Sequence, residues 1–331
     1  MVLRIGYIRE HFASPLLQFA ADDGGKTFTL VECPGGTGQV ISAFKANEID
    51  IGVALTDALL AGIANGNQDY KMIGQYVATP LNWAVTVGKD SKYTKLEELR
   101  GTVMGISRIG SGSQTMAAVM AMQQGWYSDV EKKHVEIPKV QVNNNIDGLI
   151  RSVNDGSTSA FMWEWFTTKP FVDQGLARFI GSVPTLWPCF ALAGHVERTP
   201  PVEVREFLSS LSVYVRRFAA GLQQSGPFNV GGSATMSTTT TGEESPSVPM
   251  VSDEEKANVK YIMETFGYEE GDVREWLGTV GYPDDVAVLD LQVVVKTLDI
   301  MTQAGVVKPK EGGYDPMMFL NGEVARFANS D

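Results

Sequence analysis

The sequence has few cysteines, few histidines and no excess of positive charge, and each shortage excludes a class of protein. Cys33 and Cys189 are the two cysteines in 331 residues, too few for a disulfide-stapled secreted scaffold, although one bridge between them stays open. His11, His134 and His195 show no metal-ligand spacing, so no metal site is predicted. Acidic residues outnumber basic ones by 39 to 27, and the net charge of -12 argues against nucleic acid or anionic lipid as a partner.

Long hydrophobic runs are also absent. No stretch of about 18 apolar residues occurs, so we predict no insertion into a membrane. The first residues, MVLRIGYIR, are typical of a β-strand and not of a secretion signal. We therefore expect a cytoplasmic protein if Met1 is the native start, and a periplasmic or secreted one if Met1 was added to a trimmed mature chain.

The hydrophobic content of the chain is sufficient for a buried core. With 331 residues, 44% of them hydrophobic, the chain is long enough for two compact domains or for one domain interleaved with another. Residues 226–252 are rich in Gly, Ser, Thr and Pro and predict a flexible surface insertion. A partner-binding loop is the alternative interpretation of that segment.

A glycine-rich turn follows the first apolar run of the segment Val31–Gly66. That run ends at Pro34, the turn GGTGQ comes next, and an amphipathic helix begins. A second strand, Ile51–Leu55, ends at a polar pair that opens another helix. Both helix starts therefore lie at the carboxyl edge of one parallel sheet, where open α/β sheets bind small ligands. The candidate binding residues at this edge are Gly36, Thr37, Gly38, Thr56 and Asp57.

The same layout occurs again after residue 106. A predicted strand ends in SRI, the turn GSGS follows, and a helix with Met116, Val119 and Met120 on one face comes next. The candidate binding residues of this second unit are Ser107, Arg108, Ser111, Gly112 and Ser113.

Two extended segments connect the units. The stretch Met72–Val87 predicts one long strand that leaves the first lobe, with Trp83–Val87 as the crossover into the second. The segment Pro184–Gly194 predicts the return crossover. We predict that residues 1–84 and 191–331 form the first lobe and residues 85–190 the second.

Two such units with two crossovers resemble the type II periplasmic binding protein fold. Within that fold the segments EIDIGVAL and STSAFMWEWF are similar to those of sulfonate, nitrate and thiamine-precursor binding proteins, a family that also contains the fungal pyrimidine-precursor synthases. The resemblance covers most of residues 1–225, and Ser159 stands where the family commonly has an aspartate. It implies an α/β protein with two lobes, each a mixed sheet flanked by helices.

The turns have the chemistry of a binding site. Each helix start leaves its first backbone amides unpaired and partially positive, which suits an oxyanion or the polar edge of a ring. The hydroxyls of Thr37, Ser111 and Ser113 either add donors to a ligand or cap their helices. No nucleotide motif is present, because GGTG lacks a third glycine and no Gly-Lys-Ser or Gly-Lys-Thr follows.

Aromatic and ionisable side chains at strand ends complete the candidate site. Asp57 and Glu164, one from each lobe, can accept from amino or ring-nitrogen donors, although Asp57 can equally cap its helix. Arg108 is either an anion partner or a solvated charge, and His11 is the one histidine at a strand end. Large aromatic rings can sandwich a flat ligand. The remaining candidates are Tyr7, Asn82, Trp83, Trp163 and Trp187.

We therefore predict a protein that closes by hinge motion on a small polar or anionic, flat metabolite, such as a thiamine-pyrimidine-like heterocycle or a small sulfonate. No cofactor is predicted, and the sequence identifies no protein partner. One alternative is an intracellular metabolite sensor that acts through a protein partner. The other is an enzyme like the pyrimidine synthases, with a pyridoxal phosphate lysine. That family has histidine, lysine and a run of cysteines where this chain has TDALLAGIANG and Cys189 alone, so the resemblance does not carry the enzyme's chemistry.

Overall fold

The computed structural model describes residues 1–129, 134–222 and 252–328. Within them, two five-stranded mixed sheets are each flanked by helices, as the sequence predicts. The predicted insertion at about 226–252 lies outside the described residues, except for Ser252. None of the helices in the described ranges has the length and apolarity that a membrane span needs.

The first sheet contains the N-terminal strands and one strand that returns late in the chain. Its order is β2-β1-β3-β10-β4, and β10 runs antiparallel to both of its neighbours. Every residue of β3 is buried, because helices cover both faces of the sheet. The strands are β1 (Leu3–Tyr7), β2 (Phe28–Glu32), β3 (Ile51–Leu55), β4 (Tyr70–Val77) and β10 (Phe190–His195).

The second sheet contains the strands between the two crossovers. Its order is β7-β6-β8-β5-β9, and β5 is antiparallel to β8 and β9. The register places Trp83 opposite Glu164, so these two side chains lie on the same face. The strands are β5 (Asn82–Gly88), β6 (Val103–Ile106), β7 (Lys139–Val142), β8 (Ala160–Glu164) and β9 (Ala177–Pro184).

Ten α-helices are assigned in the described ranges. They are α1 (Ser14–Asp23), α2 (Thr37–Lys45), α3 (Thr56–Ala64), α4 (Gly112–Gln123), α5 (Ile146–Asp155), α6 (Trp165–Asp173), α7 (Pro201–Ala219), α8 (Asp253–Phe266), α9 (Glu270–Leu277) and α10 (Leu291–Gln303). Short 3-10 helices lie at His11–Ala13, Leu96–Leu99 and Pro316–Met318, and two short strands, β11 (Val288–Leu289) and β12 (Arg326–Phe327), pair near the C-terminal end.

Local sequence explains where the helices begin and end. Asn145 precedes α5 and its side chain accepts a hydrogen bond from the amide of Gly148 at 3.0 Å, while Gly156 follows the helix with a positive φ of 79°. Ser252 caps α8 in the same way. The apolar stripe of α7 is buried, and its members are Val204, Phe207, Leu208, Leu211 and Val215.

The chain crosses between the sheets at residues 78–81 and 185–189. The single long strand predicted for Met72–Val87 is therefore wrong, and Trp83–Val87 belongs to β5 rather than to the crossover. Pro80 has no amide hydrogen for a sheet, and its neighbours pair instead with the return segment. The amide of Thr185 donates to the carbonyl of Leu81 at 2.9 Å, and that of Cys189 donates to Thr79 at 3.0 Å. The predicted lobe boundaries stay predictions.

Candidate functional site

A cavity of about 240 Å³ lies where the carboxyl edges of the two sheets meet. From the first sheet and its loops it is lined by Ile8, Arg9, Glu10, Glu32, Pro34, Gly35, Gly36, Thr37, Leu55 and Phe190. From the outgoing crossover and the second sheet it is lined by Leu81, Trp83, Ser107, Ser111, Gly112, Ser113, Ile146, Trp163, Glu164 and Thr167. Both sheets thus contribute one wall of the same enclosure.

The two glycine-rich turns have the same local structure and meet at this cavity. The amide of Gly35 donates to Oε1 of Gln39 at 2.7 Å, and the amide of Gly110 donates to Oε1 of Gln114, also at 2.7 Å. In each turn the first residue of the helix, α2 or α4, lies two positions after the glycine that donates this bond. The first amides of a helix have no intrahelical acceptor. The two turns therefore present two partially positive helix ends to one enclosed space.

The hydroxyl groups of the turns make contacts other than helix capping. Oγ1 of Thr37 accepts from the amide of Leu55 at 3.1 Å, which ties α2 to the end of β3. Oγ of Ser111 and Oγ of Ser113 lie 2.9 Å apart, and Ser113 also accepts from the amide of Ser107 at 3.3 Å. Neither α2 nor α4 has a side-chain cap. The capping interpretation of these hydroxyls is therefore wrong.

Two tryptophans form apolar walls of the cavity. Trp83 is 6% exposed, and its Nε1 has no hydrogen-bond partner. A Cβ on Gly112 would lie 2.9 Å from the ring of Trp83 and 2.5 Å from Cδ1 of Leu55, so the start of α4 packs directly on both. Trp163 is half-buried.

The cavity has three carboxylates. Glu164 is 3% exposed, and one of its oxygens accepts from the amide of Thr167 at 2.6 Å, which caps α6. Burial raises the pKa of Glu164 to about 7, against the opposing effect of the Thr167 donors. Burial, and then the charge of Glu164, raise the pKa of Glu10 to about 8, while Trp163 opposes this shift. Glu32 is the third and lies exposed at the rim.

His11 lies behind the cavity rather than in its lining. It is 1% exposed, and its Nε2 is 3.7 Å from Oε1 of Glu164. Burial lowers its pKa to about 3, so the ring is neutral. The rings that surround it are Phe12, Phe166, Tyr268 and Trp276, with centroids 4.5 to 6.3 Å away. His11 is therefore part of the packing between the lobes.

Asp57 and Trp187 contact each other instead of the cavity. Nε1 of Trp187 donates to Oδ1 of Asp57 at 3.3 Å, and both side chains are buried. Burial raises the pKa of Asp57 to about 6. The amide of the preceding Thr56 donates to the carbonyl of Cys189 at 2.9 Å. This cluster fastens α3 to the return crossover.

Arg108 also lies outside the lining. Its guanidinium packs across the first turn and leaves no room for a Cβ on Gly35 or Gly38. Of the residues that the sequence proposed, the structure brings nine to the cavity: Gly36, Thr37, Trp83, Ser107, Ser111, Gly112, Ser113, Trp163 and Glu164. It places eight elsewhere: Tyr7, His11, Gly38, Thr56, Asp57, Asn82, Arg108 and Trp187. Direct ligand contact by any of these residues stays a prediction.

Glu10 and Glu32 are the lining residues of most chemical interest that sequence reasoning missed. Glu10 follows β1 and Glu32 ends β2, so both lie at the carboxyl edge of parallel strands. The rule that identified Gly36 and Thr37 applies equally to them. Among the described residues, no group of three or more histidine, cysteine or acidic side chains is arranged to hold a metal ion.

Comparisons with known proteins agree with this architecture. The sequence model of the Ca3427-like PBP family matches residues 83–183. The structure is similar to that of the CA3427 gene product of Candida albicans, described as having the generic periplasmic binding protein fold, with a TM-score of 0.76 and 27% identity over 94% of this chain and 92% of that chain. This chain has the periplasmic binding protein fold. No curated protein matches it in sequence.

Two sulfonate-binding proteins share the fold at lower identity. The alkanesulfonate-binding protein SsuA of Xanthomonas axonopodis pv. citri, bound to MOPS, has a TM-score of 0.65 at 15% identity and covers 98% of each chain. The periplasmic aliphatic sulphonate binding protein SsuA of Escherichia coli has a TM-score of 0.59 at 12% identity, over 100% of this chain and 94% of that chain. A periplasmic binding protein fold supports binding of a small ligand.

Proposed function

We propose that this protein binds a small, flat, polar metabolite in the cavity between its lobes and closes on it by hinge motion. The observation that carries the proposal is the meeting of two equivalent turns, one from each sheet, at a single enclosed space. Trp83 and Trp163 supply apolar walls that suit a planar ring. The favoured ligand class is a thiamine-pyrimidine-like heterocycle.

The crossovers have the construction of a hinge. Oγ1 of Thr185 accepts from the amide of Leu81 at 3.0 Å and donates to the carbonyl of Trp187 at 2.7 Å. The two segments are thereby held side by side, while each is short enough to absorb a rotation of one lobe against the other. The side chain of Arg108 also packs on the Gly35 turn and joins the two sides of the cavity at its rim.

A small sulfonate is the second candidate, because the two SsuA proteins bear that description and the helix ends suit an oxyanion. The enzyme alternative has less support. The described lining of the cavity contains no lysine that could form a Schiff base with pyridoxal phosphate.

Thermal unfolding with 4-amino-5-hydroxymethyl-2-methylpyrimidine and with ethanesulfonate tests the proposal. A ligand that binds the folded state raises the unfolding temperature. We expect the pyrimidine to do so in the wild type and not in Ser111→Phe, which fills the cavity. Ser209→Phe, on an exposed part of α7, is the matched control and is expected to respond like the wild type. Equal shifts in wild type and Ser111→Phe would place the binding site elsewhere.

A further inference from the structure

We infer that the cavity selects a ligand with a flat, positively charged donor group, such as an amidine or a protonated amino-heterocycle, which Glu10 and Glu164 hold from opposite lobes. This inference rests on the proposed function and adds the charge of the ligand to it. It also separates this site from the sulfonate-binding proteins that share the fold.

The charges in the lining favour a cation. Three carboxylates line the cavity, whereas Arg9 is the one cationic side chain among the described lining residues. Arg9 is exposed and directed to α8, where Nη2 donates to the carbonyl of Thr265 at 3.4 Å and the guanidinium lies 5.8 Å from the ring centre of Phe266. A sulfonate in this cavity would therefore face carboxylates, since Arg108 packs against the outside of the Gly35 turn and is not among the lining residues.

Glu10 and Glu164 are the inner pair. Glu10 comes from the loop after β1 and Glu164 from the end of β8, so two carboxyl groups from different sheets line one cavity. Two like charges with little water between them are costly unless a proton or a bound cation compensates. Burial raises the pKa of both groups, and the charge of Glu164 raises that of Glu10 further. A cationic ligand replaces the proton, and each carboxyl that ionises on binding releases one proton to solvent.

A second observation points to a ligand at the same place. Nε1 of Trp83 is buried and has no hydrogen-bond acceptor. The ring of Trp83 lines the cavity, and Trp83 pairs with Glu164 on the neighbouring strand. A buried donor without a partner is costly, and an acceptor elsewhere in the ligand, such as a ring nitrogen of an amino-heterocycle, removes the cost. The faces of Trp83 and Trp163 also attract a flat cation through their π-electrons.

Three planar probes of similar size separate the charge classes: benzamidine is cationic, benzamide is its neutral isostere and benzenesulfonate is anionic. Titration calorimetry of the full chain at pH 7 measures the three affinities. We expect benzamidine to bind at least about tenfold more tightly than benzamide and benzenesulfonate to bind most weakly. We also expect proton release with benzamidine, seen as a heat that differs between phosphate and Tris buffers.

Substitutions of Glu10 and Glu164 test whether these two carboxyl groups cause the preference for benzamidine. Glu10→Gln and Glu164→Gln keep shape and hydrogen-bonding capacity, and each is expected to reduce the affinity for benzamidine about tenfold and to reduce proton release. Both are expected to leave the affinity for benzamide within about twofold. Glu136→Gln, which removes a carboxylate paired with Arg100 on the surface, is the matched control and is expected to change none of the three affinities.

The buried ionisable groups around Glu10 and Glu164 do not add to the number of protons released on binding. His11, Cys189 and Tyr268 pack near Glu10 and Glu164, and Glu32 and Arg9 share the lining. Burial keeps the pKa of His11 low and the pKa values of Cys189 and Tyr268 high.

The outcomes distinguish this inference from the proposed function. If benzamide and benzenesulfonate bind as tightly as benzamidine, or if the preference for benzamidine survives in both Gln variants, the charge inference is overturned and the binding function stands. If none of the three probes binds, and the pyrimidine also fails to bind, the proposed function is overturned as well.

Discussion

Nε2 of His11 lies 3.7 Å from Oε1 of Glu164, although His11 follows β1 of the first sheet and Glu164 ends β8 of the second. The distance is too long for a hydrogen bond, and burial lowers the pKa of His11 to about 3, so the imidazole packs as a neutral ring. This pair joins the aromatic cluster between the lobes to the inner wall of the cavity. It assigns His11 to packing, while contact of Glu164 with a ligand stays a prediction.

Substitution of His11 tests that division of roles. His11→Phe keeps the volume of the ring and is expected to change the free energy of unfolding by less than about 1.5 kcal/mol, with ligand affinity retained. His11→Ala leaves a cavity among four aromatic rings and is expected to cost about 3 kcal/mol. Urea denaturation gives both values. Loss of pyrimidine or benzamidine binding in a stably folded His11→Phe protein would show that His11 acts on the ligand.

Stability of the ligand-free protein should fall as pH rises from about 5 to 8. The pKa values of Glu10 and Glu164 in the folded state, about 8 and about 7, lie above the ordinary glutamate value of about 4.3. Between these values the folded state binds more protons than the unfolded state, so each upward step in pH favours unfolding. Asp57, with a pKa of about 6, acts in the same direction at the lower end of this range. His11, with its pKa lowered to about 3, acts in the opposite direction below about pH 6.5, but three carboxyls outweigh one imidazole.

Chemical denaturation at several pH values measures this slope. The double variant Glu10→Gln, Glu164→Gln is expected to flatten it above pH 6, because two of the three raised carboxyls are gone. An unchanged slope in the double variant would contradict the assignment of the pH dependence to the cavity.

The start of α4 should not tolerate a larger residue. Gly112→Ala places a Cβ 2.5 Å from Cδ1 of Leu55 and is expected to cost about 1–3 kcal/mol through overpacking. Gly271→Ala, in α9, meets no atom within 4 Å and is expected to stabilise the protein by about 0.5 kcal/mol. Thermal unfolding of the two variants gives opposite signs if the packing is as described.

The hydrogen bond that Thr185 accepts from the amide of Leu81 should contribute more to the stability of the protein than an ordinary bond of a side-chain hydroxyl. Thr185→Val leaves the buried amide of Leu81 without its acceptor and is expected to cost about 1–3 kcal/mol. Thr302→Val removes a hydroxyl bond to Leu298 within α10 and leaves no amide unpaired, so a smaller loss is expected. If the two variants lose equal stability in denaturant titrations, Thr185 has no special part in joining the crossovers.

Arg108 should slow the release of the ligand. Arg108→Ala removes the side chain that packs on the Gly35 turn from the opposite lobe, and we expect the dissociation rate to rise about threefold to tenfold with little change in association. Stopped-flow tryptophan fluorescence measures both rates. Arg100→Ala, at a surface ion pair with Glu136, is the control and is expected to leave them unchanged.

The sequence predicted the parts of the site that depend on local order. The turns GGTGQ and GSGSQ each follow a strand and begin a helix, and in an α/β sheet such turns fall on one edge. Their meeting across the cavity follows from the fold, which the resemblance supplied. Local reasoning therefore sufficed for Gly36, Thr37, Ser111, Gly112 and Ser113.

The rest of the site depends on contacts between distant segments. Asp57 bonds to Trp187, 130 residues away, and no local pattern reveals that pairing. His11 follows a strand as a site histidine would, but Tyr268 from the loop between α8 and α9 and Trp276 from α9 enclose it. Glu10 was missed because a charged residue in a loop is usually solvated, whereas here Trp163 and the charge of Glu164, both distant in sequence, act on it.

Small-angle X-ray scattering with and without ligand tests the central claim most directly, because closure of two lobes changes the overall size of the molecule. We predict that the pyrimidine, or benzamidine if it binds more tightly, reduces the radius of gyration of the wild type and leaves that of Ser111→Phe unchanged. Saturating ligand with no change in the wild-type radius of gyration would contradict hinge closure on a ligand held between the two turns.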